Sequence, residues 1–370
     1  MEQKILQDKC RGSLVGGAIG DALGYGAEFM SLADILKKYG ESGIENYEID
    51  SNGIAEISDD TQMSLFTAEG LLNAIEEDRK DIEDFAPYFT TAYTYWYDTQ
   101  IPPPIPREGS WMSQHIELWD RRAPGVTCME ACDNIWNGLE VMNDSKGCGG
   151  IIRVAPIGIF SAAHPKVLDI EHAGCLAGYA AEITHKHRIS TYSSMALAMI
   201  VSECISHENI DRNIHKSIII DRVFKPLGLR FKGDNHLAYL FDLVLKAMWF
   251  ATAKESDTDA IRKLGQGWVA EETLAIGIFS AMRYTDDFES CICCAVNHDG
   301  DSDSTGSVAG YIIGAILGYS AIPEKYLTNL ELHDVLVSVA DDLGGFSSEI
   351  QMKRRYGTLK IFNRSRPYVL

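Results

Sequence analysis

Along most of the chain apolar residues recur at intervals of three and four, the spacing of a helix that buries one face. This periodicity predicts helices over Gln7 to Glu28, Thr61 to Glu77, Ile82 to Tyr97, His172 to Thr184, Thr191 to Ser206, Leu237 to Thr252, Glu271 to Met282 and Thr305 to Gly318. Few stretches alternate as strands do. Proline and glycine mark loops at IPPPIPREGS, Ile101 to Ser110, and at SKGCGG, Ser145 to Gly150. No low-complexity linker, composition break or solenoid-type repeat divides the 370 residues. The simplest reading is one all-α domain, 1–370. The piece 323–370, with Lys353, Arg354 and Arg355, is set apart as a candidate C-terminal appendage.

Two helices carry glycines at every fourth position. RGSLVGGAIGDALGYGAEF places Gly12, Gly16, Gly20 and Gly24 on one face, and the last predicted helix repeats the device with Gly306, Gly310, Gly314 and Gly318. A glycine inside a helix costs about 1 kcal/mol relative to alanine, so each row needs a compensating gain. Close approach of another backbone supplies it. The two rows either pack against each other or accommodate bulky neighbours elsewhere.

Composition narrows the function. An apolar content of 46 % supports a large core, and a formal charge of -20 makes the average surface repel phosphate, which excludes a broad basic face for nucleic acid. Nine cysteines in a chain opening MEQKILQDKC, with no basic-then-apolar leader, fit reduced thiols and a cytoplasmic location. The longest uncharged run, Gly306 to Ile322, is short for a membrane span and follows aspartates, so it reads as a buried helix with no membrane role.

Four clusters could carry chemistry. In ISDDTQMSLFTAEGLL, Ser58 is placed to cap a helix whose first turn holds Asp59 and Asp60, where acids favour the helix dipole. Neighbours on a helix diverge by about 100°, so the same carboxylates can also address two ions. In NHDGDSDSTG, Asp299, Asp301 and Asp303 precede Ser304 and Thr305 and repel one another unless solvated or neutralised by a cation. An exposed acidic turn fits, and so does a cation site, which the apolar helix that follows favours. A calcium loop does not fit: Ser304 stands where the sharp-turn glycine belongs, and Gly310 where the closing glutamate belongs. Oxygen-only ligands suit Mg²⁺, Mn²⁺ or Ca²⁺ rather than zinc. In SKGCGGIIRVAP the glycines let backbone N–H groups approach a phosphate, with Lys146 and Arg153 nearby, although a plain turn explains them equally well. In THKH, Thr184 to His187, a histidine at a helix end either satisfies terminal carbonyls or serves as a ligand. Cys291, Cys293 and Cys294 lack a second pair at zinc-finger spacing and read as core thiols. No GxSxG or HExxH singles out a nucleophile or a zinc helix.

Taken in order, GSLVGGAIGDALGYGAEF, ISDDTQMSLFTAEGLL, SKGCGGIIRVAPIGIF, GWVAEETLAIGIF and HDGDSDSTGSVAGYIIGAILG closely resemble the ADP-ribosylglycohydrolase family over roughly residues 10–320. The resemblance implies a compact, single-domain, orthogonal helical bundle with a binuclear centre of two Mg²⁺ or Mn²⁺ ions. It implies metal binding by Ser58, Asp59 and Asp60 on one side and by Asp301, Asp303 and Ser304 on the other, with Glu28 at the metal site and implicated in catalysis beside Asp60 and Asp303. It places ADP-ribose in the loop Gly147, Cys148, Gly149, Gly150 and Ile151, with His185 alongside. Arginine-directed members carry an aspartate where this chain reads TQIPPPIPREGSW, and Glu108 is the nearest acid there. Serines 58 and 304 keep the hydroxyl that other members supply with threonine.

The expected reaction is metal-assisted hydrolysis of the N-glycosidic bond between ADP-ribose and an acceptor. A carboxylate, Glu28 or a metal-site aspartate, takes the proton of the attacking water. ADP-ribosyl-arginine on a protein is the first choice of substrate. Other ADP-ribosyl linkages, a non-catalytic ADP-ribose or partner-binding module, and reversal of modification by an ADP-ribosylating toxin or enzyme are the alternatives.

Overall fold

The computed structural model describes residues 1–101, 109–357 and 359–361. Among them there is no strand, only two isolated bridges, Ala55 with Leu330 and Gly147 with Val269. The helices are α1 (Gln3–Tyr25), α2 (Leu32–Tyr39), α3 (Asp59–Glu76), α4 (Ile82–Gln100), α5 (Val126–Trp136), α6 (Ala155–Ala163), α7 (Ile170–Glu182), α8 (Arg188–Ser206) and α9 (Arg212–Ser217). They continue with α10 (Lys225–Arg230), α11 (Asn235–Thr252), α12 (Asp257–Leu264), α13 (Ala270–Arg283), α14 (Phe288–Val296), α15 (Ser302–Leu317), α16 (Glu324–Leu327), α17 (His333–Gly344) and α18 (Glu349–Arg355).

Every helix predicted from periodicity is present, and two of the stretches it missed have physical reasons to be silent. Helix α6, APIGIFSAA, is apolar on nearly every face and is buried from Ala155 to Ser161, so it has no polar stripe to set a period. Between α9 and α10 the chain passes through a π-helical stretch, Ile218–Phe224, which breaks the 3.6-residue repeat. Helix α1 starts earlier and ends sooner than predicted. It stops at Tyr25, the backbone turns at Phe29 with φ 69°, and Glu28 therefore leaves the helix in a turn.

The two glycine rows meet. Helices α1 and α15 run antiparallel along the centre of the molecule, with Gly12 against Gly314, Gly16 against Gly310, Gly20 against Gly306 and Gly24 against Ser302. A methyl added at Gly12 would stand 2.5 Å from the Gly314 carbonyl oxygen, and one at Gly16 2.6 Å from that of Gly310. At Gly20 and Gly24 it would collide with the backbones of Gly306 and Ser302. Backbone-to-backbone contact on this scale replaces side-chain packing, and it sets the two axes closer than any larger residue permits.

Around this pair pack α13, α14 and α17, while α8 anchors a second layer with α6 and α7. Helix α8 is long and apolar enough to cross a membrane, but 89 % of it is buried inside the fold. The cysteines of α14 follow their expected role, with Cys291 and Cys294 buried, Cys293 half-buried, and all three free. Beyond residue 322, α17 buries Leu336, Val339, Ala340 and Leu343, and Asp341 takes two 2.7 Å hydrogen bonds from Arg11 of α1.

The seam yields a paired prediction. Gly20→Ala should cost about 3 kcal/mol or more, because neither facing backbone can yield. Gly228→Ala, on exposed α10 with nothing within 4 Å of the new methyl, should be neutral or stabilising by up to about 1 kcal/mol. Chemical denaturation of the two variants checks this; equal stabilities would contradict the seam.

Candidate metal and active site

Antiparallel pairing of α1 and α15 puts the end of one beside the beginning of the other. The carboxylates of Glu28, just past α1, and of Asp301 and Asp303, at the start of α15, offer oxygens that all lie within 4.8 Å of one another. Gly300, at φ 133°, makes the turn that delivers them; a side chain there would meet the Gln266 carbonyl. Asp301 occupies the N-cap position of α15 but does not cap it, and its Oδ2 is buried without a hydrogen-bond partner. An acid at a cap position that leaves an oxygen unspent is an acid held for something else.

Helix α3 brings the other half. Ser58 caps it, accepting the Asp60 N–H at 3.1 Å, which places Asp59 and Asp60 in the first turn as expected. Asp59 Oδ2 accepts the Gly125 N–H at 3.2 Å, and Asp60 Oδ2 accepts the Ser304 hydroxyl at 2.7 Å, joining α3 to α15. Asp21, inside α1 and fully buried, secures this geometry. It accepts the backbone N–H groups of Ser58 (3.1 Å) and Thr61 (3.1 Å) and also the Thr61 hydroxyl, so a residue of α1 caps the beginning of α3.

Six carboxylates thus share one interior. Burial raises the pKa of every one of them, and repulsion from Asp303 is the next cause for Asp21, Glu28, Asp60 and Asp301. Asp21 is pushed up to about 7 and Glu28 to about 9. At Asp59 the Gly125 N–H opposes the rise. The positive ends of α3 and α15 point into the cluster but cannot neutralise it. Acids, hydroxyls and one orphaned buried oxygen, with no soft ligand in the set, fit an oxygen-coordinated divalent cation.

A cavity of about 330 Å³ opens onto these acids, with the glycine loop across from them. Gly147, Cys148, Gly149 and His185 line it. The loop is tied down by Cys148 N–H to the Trp268 carbonyl (3.2 Å) and Ala270 N–H to the Lys146 carbonyl (2.8 Å). The Gly149 N–H has no acceptor among the described residues. Phe29, 73 % exposed, stacks on Trp268 with centroids 5.2 Å apart at the mouth.

Several expected participants lie elsewhere. Gly150 and Ile151 are buried beneath the loop, where a methyl on Gly150 would stand 2.5 Å from the Ser190 hydroxyl, and neither lines the cavity. Asp299 turns away from Asp301 and accepts the Leu32 N–H at 2.8 Å. Lys146 pairs with Glu271 and Arg153 is sunk in the core, so neither cation borders the cavity. Glu108 lies outside the described residues. Sequence reasoning passed over Asp21, Gly125, Phe29 and Trp268. Asp21 carried a signal, a lone acid inside a glycine-rich apolar helix; the others are brought in by tertiary contact alone.

A family model described as ADP-ribosylglycohydrolase matches residues 2–352. The ADP-ribosyl-[dinitrogen reductase] glycohydrolase of Rhodospirillum rubrum is 25 % identical over 88 % of this chain and 92 % of its own length. An ADP-ribosylarginine hydrolase of Serratia proteamaculans is 27 % identical over 91 % of this chain and 79 % of its own. Among solved structures, an ADP-ribosylglycohydrolase-related protein complex shares the fold with TM-score 0.58 and 22 % identity, covering 93 % of this chain and 100 % of the other.

Protons and cations compete for the acidic cluster, which gives the pH dependence a sign. Folded values above the ordinary 3.8 of Asp21 and 4.5 of Glu28 mean that their contribution to stability is full below about pH 4, and is lost as pH rises through about 7 and 9. The rise in Tm on adding Mg²⁺ or Mn²⁺ should therefore be large at neutral and alkaline pH and small in mild acid. It should vanish in an Asp60→Asn/Asp303→Asn double variant. Thermal denaturation with and without chelator measures it; no rise at any pH would contradict the cation reading.

Proposed function

The chain belongs to the ADP-ribosylglycohydrolase family, and from that premise we propose that it hydrolyses the bond between ADP-ribose and arginine on a modified protein. One observation carries the reading: Glu28 just past α1 and the acids of α3 and α15 line one cavity together with a glycine loop whose Gly149 N–H is unspent. Acids alone make a cation site, and free amides alone make an anion site. A substrate that joins a diphosphate to a reactive ribose uses both.

Ser58, Asp59 and Asp60 on one side and Asp301, Asp303 and Ser304 on the other would hold two Mg²⁺ or Mn²⁺ ions. When bound, such ions supply Lewis acidity and charge neutralisation at the ribose. The chain's own groups do the rest. The Gly149 amide and His185 orient the diphosphate end, and Ser304 and Gly125 hold Asp60 and Asp59 in place. Glu28, half-buried at the cavity mouth and ionised at neutral pH only when cations offset the neighbouring acids, would take the proton of the water that attacks the anomeric carbon and pass it to the acceptor nitrogen as that bond breaks.

Arginine is supported as acceptor by the Serratia relative, an ADP-ribosylarginine hydrolase.

Release of free ADP-ribose from an arginine-ADP-ribosylated protein tests the reading. Mg²⁺ or Mn²⁺ should support release and chelation should stop it. Glu28→Gln should lower kcat by about a hundredfold or more while ADP-ribose still binds at the glycine loop, because the proton acceptor is lost together with one carboxylate of the cation cluster. ADP-ribose binding without release by the wild type under any metal condition would point to a binding module or another linkage.

A further inference from the structure

Beneath the glycine loop the fold buries a cation with no carboxylate beside it. Arg153 is 0 % exposed, and its guanidinium lies 4.2 Å over the Tyr93 ring. Its Nη1 faces Met63 Sδ and Cys128 Sγ, its Nη2 donates to the Ala180 carbonyl (3.0 Å) and to Thr184 Oγ1 (2.6 Å), and its Nε has no partner. A guanidinium buried this expensively, one residue from a ligand loop it does not enter, calls for a reason.

Hydrogen-bond arithmetic supplies one. Arginine only donates, so Thr184 Oγ1 accepts from it and has a single hydrogen left to give. Three acceptors are in reach, the Ala181 carbonyl at 3.5 Å, His185 Nδ1 at 2.9 Å and the Cys128 sulfur, which accepts only weakly. The first is at the limit of a hydrogen bond and the second is a good one, and the neighbouring positive charge makes the hydroxyl a stronger donor. Nδ1 is therefore an acceptor, and the proton of a neutral imidazole must sit on Nε2. Burial first, and Arg153 second, push the His185 pKa down to about 3, so the ring stays neutral. Its Nε2 faces the loop: a methyl on Gly147 would stand 3.2 Å from it and one on Gly149 3.5 Å. Among the described residues nothing bonds to Nε2, and His185 lines the same cavity as Asp60 and Asp303.

We propose that Arg153 and Thr184 form a buried positioning relay that fixes His185 in its Nε2–H tautomer and aims a neutral donor at an oxygen of the bound ADP-ribose. The ligand in this statement rests on the function proposed above; the tautomer does not. The arrangement lets a cation act on an anionic ligand through two intervening side chains without entering a cavity rich in carboxylates. A charged imidazole there would pair with the acids; a neutral donor leaves them free for metal.

Long-range ¹H–¹⁵N NMR of the histidine-labelled protein, with His185 assigned by His185→Gln, reads the tautomer directly. Wild type is expected to show a protonated Nε2 and an unprotonated Nδ1 from neutral pH into mild acid. Thr184→Val should weaken ADP-ribose binding about tenfold, raising KM more than it lowers kcat, and Thr184→Ser should restore both the affinity and the NMR signature. A wild-type His185 protonated on Nδ1 overturns the relay, and so does Thr184→Val binding ADP-ribose within about twofold of wild type. The wild-type spectrum decides the tautomer even if Thr184→Val fails to fold. Failure of wild type to bind ADP-ribose at all would refute the proposed function, and with it the ligand half of the relay.

Discussion

The contact between the glycine faces of α1 and α15 is the constraint from which the rest follows. Antiparallel pairing at backbone distance brings the end of α1 to the beginning of α15, so Glu28 and the pair Asp301 and Asp303 come together as a consequence of register. A slip of one helical turn along the seam would move the acids about 5 Å apart along the axis. Asp21 extends the same logic to the third element, because a residue within the seam accepts the first N–H groups of α3 and so places Asp59 and Asp60. Glycine's cost in helix propensity is the cost of that precision.

Electrostatics gives the arrangement its purpose. The fold concentrates six acids in its interior and offers them backbone amides, hydroxyls and two helix N-termini, yet one Asp301 oxygen remains unpartnered. The cluster is unfavourable for the isolated chain and favourable for a chain that holds divalent cations, so binding free energy and folding free energy are linked there. Opposite the acids, the glycine loop is arranged with equal economy. Its Gly149 amide is left open, and the cations that its sequence suggested are withdrawn, Lys146 to Glu271 and Arg153 into the core. Charge of one sign borders the cavity, as the proposed cation site requires.

Much of this was legible in the sequence, and the exceptions have physical causes. The long helices with a polar face announced themselves by period, whereas the eight-residue α2 and α12 offered too few turns to show one; α6 and the π-helical region were silent, the first because nearly all its faces are covered and the second because its repeat is broken. The glycine rows predicted close approach, but not which partner, since spacing on one helix says nothing about its neighbour. The acids at positions 58–60 and 301–304 were readable as helix starts with carboxylates to spare. Asp299 was misleading, because alternation along the chain does not reveal that Gly300 turns it away. Gly150 and Ile151 belonged to the right loop on its wrong side, a distinction that burial makes and composition does not.

The central claim is that a glycine seam holds carboxylates from three elements as one cation site for hydrolysis of an ADP-ribosyl bond. Anomalous diffraction from crystals grown with Mn²⁺ examines it most directly. The account predicts manganese density between the carboxylates of Asp59 and Asp60 and those of Asp301 and Asp303, with Glu28 beside it and the α1–α15 register unchanged. Manganese absent from that interior, with the acids instead paired through shared protons, would contradict it.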